Sequence, residues 1–116
     1  MKIATQVAIR RATPNDVVQL TELVEQYRDF YRQERDDKTN QYLIDRISKN
    51  ESVIFVAEID GLLVGFTQCY PTFSTLSLSG IWLLNDLFVD PAYRGQHIAD
   101  QLMQSTEAAA QNSGAT

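Results

Sequence analysis

The sequence predicts a mixed α/β domain with the element order β-α-α-β-β-β-α. Apolar residues recur at helical spacing in the first third of the chain, and β-branched runs joined by the turn pair Asp60-Gly61 follow. The last third combines an apolar strand, the stop Asp90-Pro91 and another helical pattern. The 116 residues suit one domain and are too few for two, so we expect residues 1–116 to form a single domain.

One strand and a long helix are predicted at the start of the chain. Residues 7–11 alternate enough to form a short first strand. Thr13, Pro14 and Asp16 suit the N-cap, the first position and the first turn of a helix. Apolar spacing carries this helix to about Tyr31.

A second helix is predicted after a mixed charge run at 33–38, which we expect to be a solvated connection. This helix begins at about Thr39 and ends within 48–51. The residues expected to face the core are Tyr42, Leu43, Ile44 and Ile47.

Three strands and a helix are predicted in the second half. Residues 53–59 and 62–70 form the two arms of a hairpin, because both are β-branched and apolar. The Ser- and Thr-rich segment 71–80 is expected to be a loop before a strand at 81–89. The final helix begins near Ile98 and stops near Gly114.

Composition excludes several classes of function. The net charge of −5 disfavours a nucleic-acid partner, since phosphate backbones need basic surfaces. No apolar run reaches the roughly 18 to 20 residues that span a bilayer, and residues 1–6 lack the apolar stretch of a secretory signal. A lone cysteine, Cys69, fits a reducing compartment. We therefore expect a cytoplasmic protein without a membrane partner, and we assign no metal ligands.

The segment 84–99 has the pattern of an anion site. It combines a strand, a proline stop, a short loop and the start of a helix, whose N–H groups lack intrahelical partners and lie at the positive end of the dipole. Arg94 adds a charged donor, and Gly95 lets the backbone come close to a ligand. The pattern alone is weak evidence for such a site.

The same segment resembles motif A of the GNAT superfamily of N-acetyltransferases. Residues 87–91 (Leu-Phe-Val-Asp-Pro) match the end of the motif's strand, and residues 94–99 match its loop, except that His97 stands where the family usually has glycine. The hairpin and the step Gly65-Phe66-Thr67 extend the resemblance over the whole chain. It implies a GNAT-like acyl-CoA N-acyltransferase fold that lacks the family's usual C-terminal strands.

The resemblance implies acetyl-CoA as cosubstrate. Its pantetheine arm pairs with main-chain groups at the end of the fourth strand, its pyrophosphate meets the N–H groups of the loop, and an N–H near Phe88 stabilises the oxyanion. We expect His97 to weaken pyrophosphate binding without abolishing it. The expected cofactor-binding residues are Leu87, Phe88, Val89, Arg94, Gly95, Gln96, His97, Ile98 and Ala99.

The resemblance leaves the catalytic base open. The family's glutamate position falls on Asn85, which cannot act as a base. Asp86 is adjacent, but strand alternation predicts that it points to the opposite face. Glu58 on the second strand is another candidate, and catalysis by positioning alone remains open.

The acceptor and partner expectations also come from the resemblance. The end of the first helix (Tyr27, Phe30, Tyr31) is expected either to contact the substrate or to pack in the core. Further strands normally follow in this family, and without them the fourth strand is an exposed apolar edge. We therefore expect a homodimer or a higher assembly through that edge.

Three functions follow as hypotheses. The first is an acetyl-CoA-dependent N-acetyltransferase that modifies the primary amine of a small molecule, with protein N-termini as a weaker option. The second is a degenerate module that binds acyl-CoA or a partner chain without catalysis. The third is a plain α/β interaction domain that binds no CoA ligand.

Overall fold

The structure is a computed structural model that describes residues 6–115. Most of the segment judged above for a secretory signal, residues 1–5, lies outside this range. The expected order of elements is confirmed. The strands are β1 (Ala8–Arg11), β2 (Val53–Ile59), β3 (Leu62–Ser74) and β4 (Ser79–Val89), and the helices are α1 (Val17–Phe30), α2 (Lys38–Ser48) and α3 (Ile98–Asn112).

The strands form an antiparallel four-stranded sheet in the order β1-β2-β3-β4. Asp60 and Gly61 join β2 to β3 with φ angles of 50° and 81°, the positive values that a two-residue hairpin turn requires. Strand β4 lies at one edge of the described sheet, with leucine side chains 37–54% exposed at Leu83, Leu84 and Leu87. An exposed apolar edge was expected at this strand.

Helices cover both faces of the sheet. Helices α1 and α2 pack on one face through a core that includes Leu20, Leu43 and Phe66, and α3 packs on the other through Ile98 and Leu102. Successive residues at the end of β4 face opposite sides of the sheet. Phe88 consequently belongs to the α1 side and Val89 to the α3 side, so this strand end contacts both layers.

The inward face of α2 is narrower than expected. Leu43 is 1% exposed and Ile47 packs against the core, as the apolar spacing predicts. Tyr42 and Ile44 are 43% and 38% exposed, so the prediction that both face the core was wrong. Tyr42 and Ile44 each lie about 100° around the helix axis from Leu43, one on either side. The stripe of α2 that is buried against the core is too narrow to include them.

The predicted loop at 71–80 is mostly strand. Strands β3 and β4 continue pairing from Pro71 opposite Trp82 to Ser74 opposite Ser79, and only 75–78 form the turn. Strand β2 reaches no further along β3 than Cys69, so Pro71 has a strand neighbour on one side only. Proline is tolerated at such an edge position.

Among residues 6–115, no helix is long and apolar enough to cross a membrane. Within the same residues, no group of three or more His, Cys, Asp or Glu side chains is placed to hold a metal ion.

Candidate active site

Two neighbouring cavities meet at the C-terminal half of α1. The first, of about 450 Å³, lies at the N-terminus of α3 and is called the α3 cavity. The second, of about 340 Å³, lies at the N-terminus of α2 and is called the α2 cavity. Tyr27 lines both. Among the described residues, Tyr27 is therefore the one that borders both cavities.

The α3 cavity brings together nearly all the residues expected at the cofactor and acceptor sites. Its lining comes from the end of α1, the end of β4 and the loop that enters α3. It is lined by Tyr27, Phe30, Tyr31, Leu87, Phe88, Val89, Tyr93, Arg94, Gly95, His97, Ile98, Ala99 and Asp100. Gln96 lies in the same loop but does not line the cavity.

The loop presents backbone donors to the α3 cavity. Within residues 6–115, the N–H groups of Gly95, Gln96 and His97 have no protein acceptor. Gly95 has a φ of 83°, and an added Cβ would meet no atom within 4 Å, so the space above this backbone is open. Free donors at the positive end of a 15-residue helix suit an anion.

Arg94 fastens this loop to the sheet. Its Nε donates a hydrogen bond of 3.0 Å to the Val89 carbonyl at the end of β4. Its guanidinium carbon lies 5.5 Å from the ring centroid of Phe88 and 5.9 Å from that of Phe30. The cation therefore contacts β4 and α1 together, through a main-chain hydrogen bond and two cation–π contacts.

His97 occupies a backbone conformation that favours glycine. It caps α3 with a φ of 60°, in the left-handed region. Its side chain is 84% exposed, and Nδ1 lies 3.6 Å from the Asp100 carboxylate. The imidazole thus points largely to solvent, while its backbone N–H stays available to the cavity.

The α2 cavity is built from side chains rather than backbone. Its residues come from α1, the connection to α2, α2 itself, β3 and β4. They are Val24, Tyr27, Arg28, Asp36, Lys38, Thr39, Tyr42, Phe66, Gln68, Tyr70, Asn85 and Asp86.

Asp86 is the carboxylate of this cavity that meets Tyr27. Its Oδ2 accepts a 2.9 Å hydrogen bond from Gln68 Nε2, and its Oδ1 accepts one of 3.0 Å from Asn85 Nδ2. Burial, together with the nearby Asp86 carboxylate, raises the pKa of Tyr27 to about 12. Tyr27 therefore stays protonated at neutral pH.

A β-bulge brings Asn85 and Asp86 to the same cavity. Gln68 pairs with Asp86 and Cys69 pairs with Leu84, which leaves Asn85 as an extra residue on β4. The prediction that Asp86 points away from Asn85 was wrong, because a bulge interrupts the alternation of side chains. Their side chains are instead hydrogen-bonded to each other.

Two tyrosines link the cavity's α2 wall to the sheet. The hydroxyl oxygens of Tyr42 and Tyr70 lie 2.8 Å apart. Burial and this hydrogen bond raise the pKa of Tyr70 above its ordinary value. The exposed Tyr42, expected in the core, instead contributes to the cavity.

A buried carboxylate holds the connection between α1 and α2. Glu25, 4% exposed, accepts hydrogen bonds of 2.9 Å from the Asp36 N–H, 2.8 Å from the Thr39 hydroxyl and 3.1 Å from Arg28. Burial alone would raise the pKa of Glu25, but these donors outweigh it and lower the pKa. This clamp positions the wall that carries Asp36 and Thr39.

Two residues considered from the sequence lie away from the cavities. Glu58 on β2 lines neither of them and forms an ion pair with Arg10 at 3.3 Å. Cys69 is 1% exposed, and burial raises the pKa of its thiol, so it packs as a small buried side chain.

Sequence reasoning missed Gln68 and Tyr42 as cavity residues. Gln68 carried a signal, because it is a lone amide within an apolar strand, and polar groups in a buried run need partners. Tyr42 carried no such signal, since its pairing with Tyr70 depends on the placement of α2 against β3.

Comparison with known proteins matches this chain to one family. The model of the acetyltransferase (GNAT) family matches residues 20–116. An uncharacterized N-acetyltransferase, YhfO of Bacillus subtilis (strain 168), is 42% identical over 108 residues, which cover 92% of this chain and 72% of that protein.

Solved structures share the fold. The crystal structure of a probable acetyltransferase is 37% identical, with a TM-score of 0.89, and the match covers 94% of this chain and 74% of that one. A predicted acetyltransferase from Clostridium acetobutylicum, solved with acetyl-CoA, is 16% identical with a TM-score of 0.79 over 96% of this chain and 77% of that one. At that identity the likeness shows the fold alone.

Proposed function

Because the chain belongs to the acetyltransferase (GNAT) family, we propose that this enzyme transfers an acetyl group from acetyl-CoA to the primary amine of a small molecule. The observation that carries the proposal is the meeting of two cavities at Tyr27, one lined by free backbone donors and the other by a carboxylate. Acetyl-CoA carries a pyrophosphate that an anion-binding loop can hold, and the attacking ammonium has to lose a proton.

We propose that the α3 cavity binds acetyl-CoA. The free N–H groups of residues 95–97 and the positive end of α3 suit the pyrophosphate, and Arg94 adds positive charge at the same loop. Main-chain groups of residues 87–89 at the edge strand suit the pantetheine arm. The structure solved with acetyl-CoA has the same fold, which supports this cosubstrate.

We propose that the acceptor amine binds in the α2 cavity and loses its proton to Asp86. An alkylammonium has a pKa of about 10 and no free lone pair, so a proton has to leave before or during attack. The Asp86 carboxylate lines the α2 cavity, and each of its oxygens accepts a hydrogen bond. Asn85 cannot accept this proton, and Glu58 is engaged with Arg10 outside the cavities.

The nitrogen then attacks the acetyl carbonyl carbon and the carbon–sulfur bond breaks. The second nitrogen proton passes to the departing sulfur, so the products are the N-acetylated amine and the free thiol of CoA, and Asp86 returns its proton to solvent. A strand N–H near Phe88 is proposed to stabilise the oxyanion that forms during attack. Tyr27 lines both cavities and lies close to the Asp86 carboxylate. Phe30 and Tyr31 supply the remaining aromatic wall of the α3 cavity.

We further propose a single cytoplasmic domain that assembles as a homodimer through β4. Leu83 and Leu84, which precede the residues proposed for the pantetheine arm on this edge strand, offer both main-chain groups and apolar surface to a second copy. The lone, buried Cys69 suits a reducing compartment. Sedimentation of the purified chain tests the dimer, and a Leu84→Lys variant is expected to shift it towards monomer.

Calorimetric titration with acetyl-CoA, followed by an assay of CoA release with a panel of primary amines, tests the activity. We expect binding without amine and CoA release only with amine. Arg94→Ala is expected to weaken binding, whereas Asp45→Asn, which lies outside both cavities, is expected to change neither measurement. Binding without turnover of any amine would favour a non-catalytic acyl-CoA module. Absence of binding by the folded protein would overturn both readings.

A further inference from the structure

Gln68 is an amide buried at the centre of an apolar strand. It is 4% exposed, and its neighbours Thr67 and Cys69 on β3 are buried as well. Burying an amide is unfavourable unless all its polar atoms find partners. Packing alone would favour an apolar side chain of the same length at this position.

The hydrogen bonds of Gln68 are incomplete. Its Nε2 donates to Asp86 Oδ2 at 2.9 Å, but its buried Oε1 has no hydrogen-bond partner among the described residues. A buried unpaired carbonyl destabilises the folded state. The hydrogen bond to Asp86 is therefore the one that the Gln68 side chain makes among the described residues.

The position of Gln68 suits control of that carboxylate. The two residues are direct partners across β3 and β4, and the bulge at Asn85 lies immediately beside the pair. A bulge loosens the ladder and re-aims neighbouring side chains. The Gln68 amide holds Oδ2 from the neighbouring strand, while Asn85 holds Oδ1 from within β4.

We propose that Gln68 is a positioning residue, which holds the Asp86 carboxylate towards the amine in the α2 cavity. This role rests on the proposed function, in which the ammonium proton passes from nitrogen to an Asp86 oxygen. Gln68 itself gains and loses no proton, since its amide only donates a hydrogen bond. Its effect is on the orientation of the proton acceptor.

The substitution Gln68→Met separates this role from a structural one. Methionine has a similar length and no polar atoms, so it removes both the contact with Asp86 and the orphaned carbonyl. We expect the melting temperature to stay the same or rise, the dissociation constant of acetyl-CoA to stay within twofold, and turnover to fall by roughly 10- to 100-fold.

Gln41→Met is the matched control. Gln41 also donates to a carboxylate, Asp45, at 2.9 Å, but this pair is exposed on α2 and lies outside both cavities. We expect its turnover to equal that of the wild type. A Gln68→Met enzyme with wild-type turnover would overturn the proposal.

The decisive measurement compares ethylamine with 2,2,2-trifluoroethylamine as acceptors. Fluorine makes the second amine far less basic. A much larger fraction of it is therefore already unprotonated at neutral pH, and its acetylation depends less on a proton acceptor. We expect Gln68→Met to slow ethylamine acetylation more than trifluoroethylamine acetylation. An equal loss for both amines would assign Gln68 a structural role and overturn the proposal while leaving the proposed function intact.

A failure of the proposed function would give different experimental results from a failure of the proposed role of Gln68. A wild-type protein that binds acetyl-CoA but acetylates neither these nor other primary amines would remove the reaction itself, and the role of Gln68 with it. Wild-type turnover combined with a normal Gln68→Met enzyme would remove the role of Gln68 alone.

Discussion

The two cavities are built in opposite ways. The α3 cavity takes most of its lining from one continuous segment, residues 87–100, and its donors are backbone N–H groups. The α2 cavity takes its lining from helices, strands and a connection that are far apart in sequence, and its working groups are side chains. A backbone site tolerates many side chains, whereas a side-chain site depends on single atoms. Single substitutions are therefore expected to affect the function of one cavity without affecting that of the other.

The largest expected effect comes from Asp86→Asn, which acts on the α2 cavity alone. Asparagine keeps the size of the side chain but cannot accept the ammonium proton. We expect turnover to fall by roughly 10²- to 10⁴-fold in steady-state CoA release. The calorimetric dissociation constant for acetyl-CoA should stay within twofold. Wild-type turnover by this variant would show that the proton leaves by another route.

Glu25→Gln tests the wall of the same cavity through stability. The substitution removes a buried charge that three donors satisfy, and we expect a loss of roughly 2 kcal/mol in the free energy of unfolding by urea. Glu22→Gln is the control, because Glu22 pairs with Arg35 on the exposed surface. An exposed pair of this kind contributes little to the free energy of unfolding, because solvent screens both charges.

The same glutamate predicts a pH dependence. The folded state lowers the pKa of Glu25 below the ordinary value of 4.5, so its contribution is fully present above that pH. It is lost as the pH falls through the folded-state pKa. We expect the stability difference between wild type and Glu25→Gln to shrink on acidification below pH 4.5, as measured by urea unfolding at each pH. A constant difference would contradict this assignment.

Gly95→Ala and His97→Gly act on the α3 cavity in opposite directions. An alanine at Gly95 meets no atom but has to adopt a φ of 83°, which costs roughly 1 kcal/mol. A glycine at position 97 relieves the left-handed conformation, although its greater freedom in the unfolded chain offsets part of that gain. We expect acetyl-CoA binding to weaken in the first variant and to tighten a few-fold in the second. Equal affinities in calorimetry would exclude this loop as the cofactor site.

The smallest effect is expected from Tyr42→Phe. It removes one hydroxyl from the pair with Tyr70 and leaves the ring in place, so the stability loss should be roughly 0.5 to 1 kcal/mol. The pKa of Tyr70 should move towards its ordinary value, and ultraviolet titration of tyrosinate can follow the change. Acetyl-CoA affinity is expected to stay unchanged, because neither tyrosine lines the α3 cavity.

Much of the fold could be predicted from the sequence because its signals are local. The run at 53–59, the Asp60-Gly61 turn and the start of α3 each depend on residues close together in the chain. The predictions were wrong where a partner decided the outcome. Residues 71–74 became strand because β4 pairs with them, and Tyr42 became a cavity wall because α2 packs beside Tyr70.

The sequence by itself determined the order of elements and a loop whose backbone donors surround the start of α3. It could do so because a strand, a proline stop and a helix N-terminus are specified by neighbouring residues. Tertiary structure alone decided that Asp86 accepts a hydrogen bond from Gln68 and lies near Tyr27 in the α2 cavity. Strand register and the bulge at Asn85 set those contacts, and both depend on pairing across the sheet.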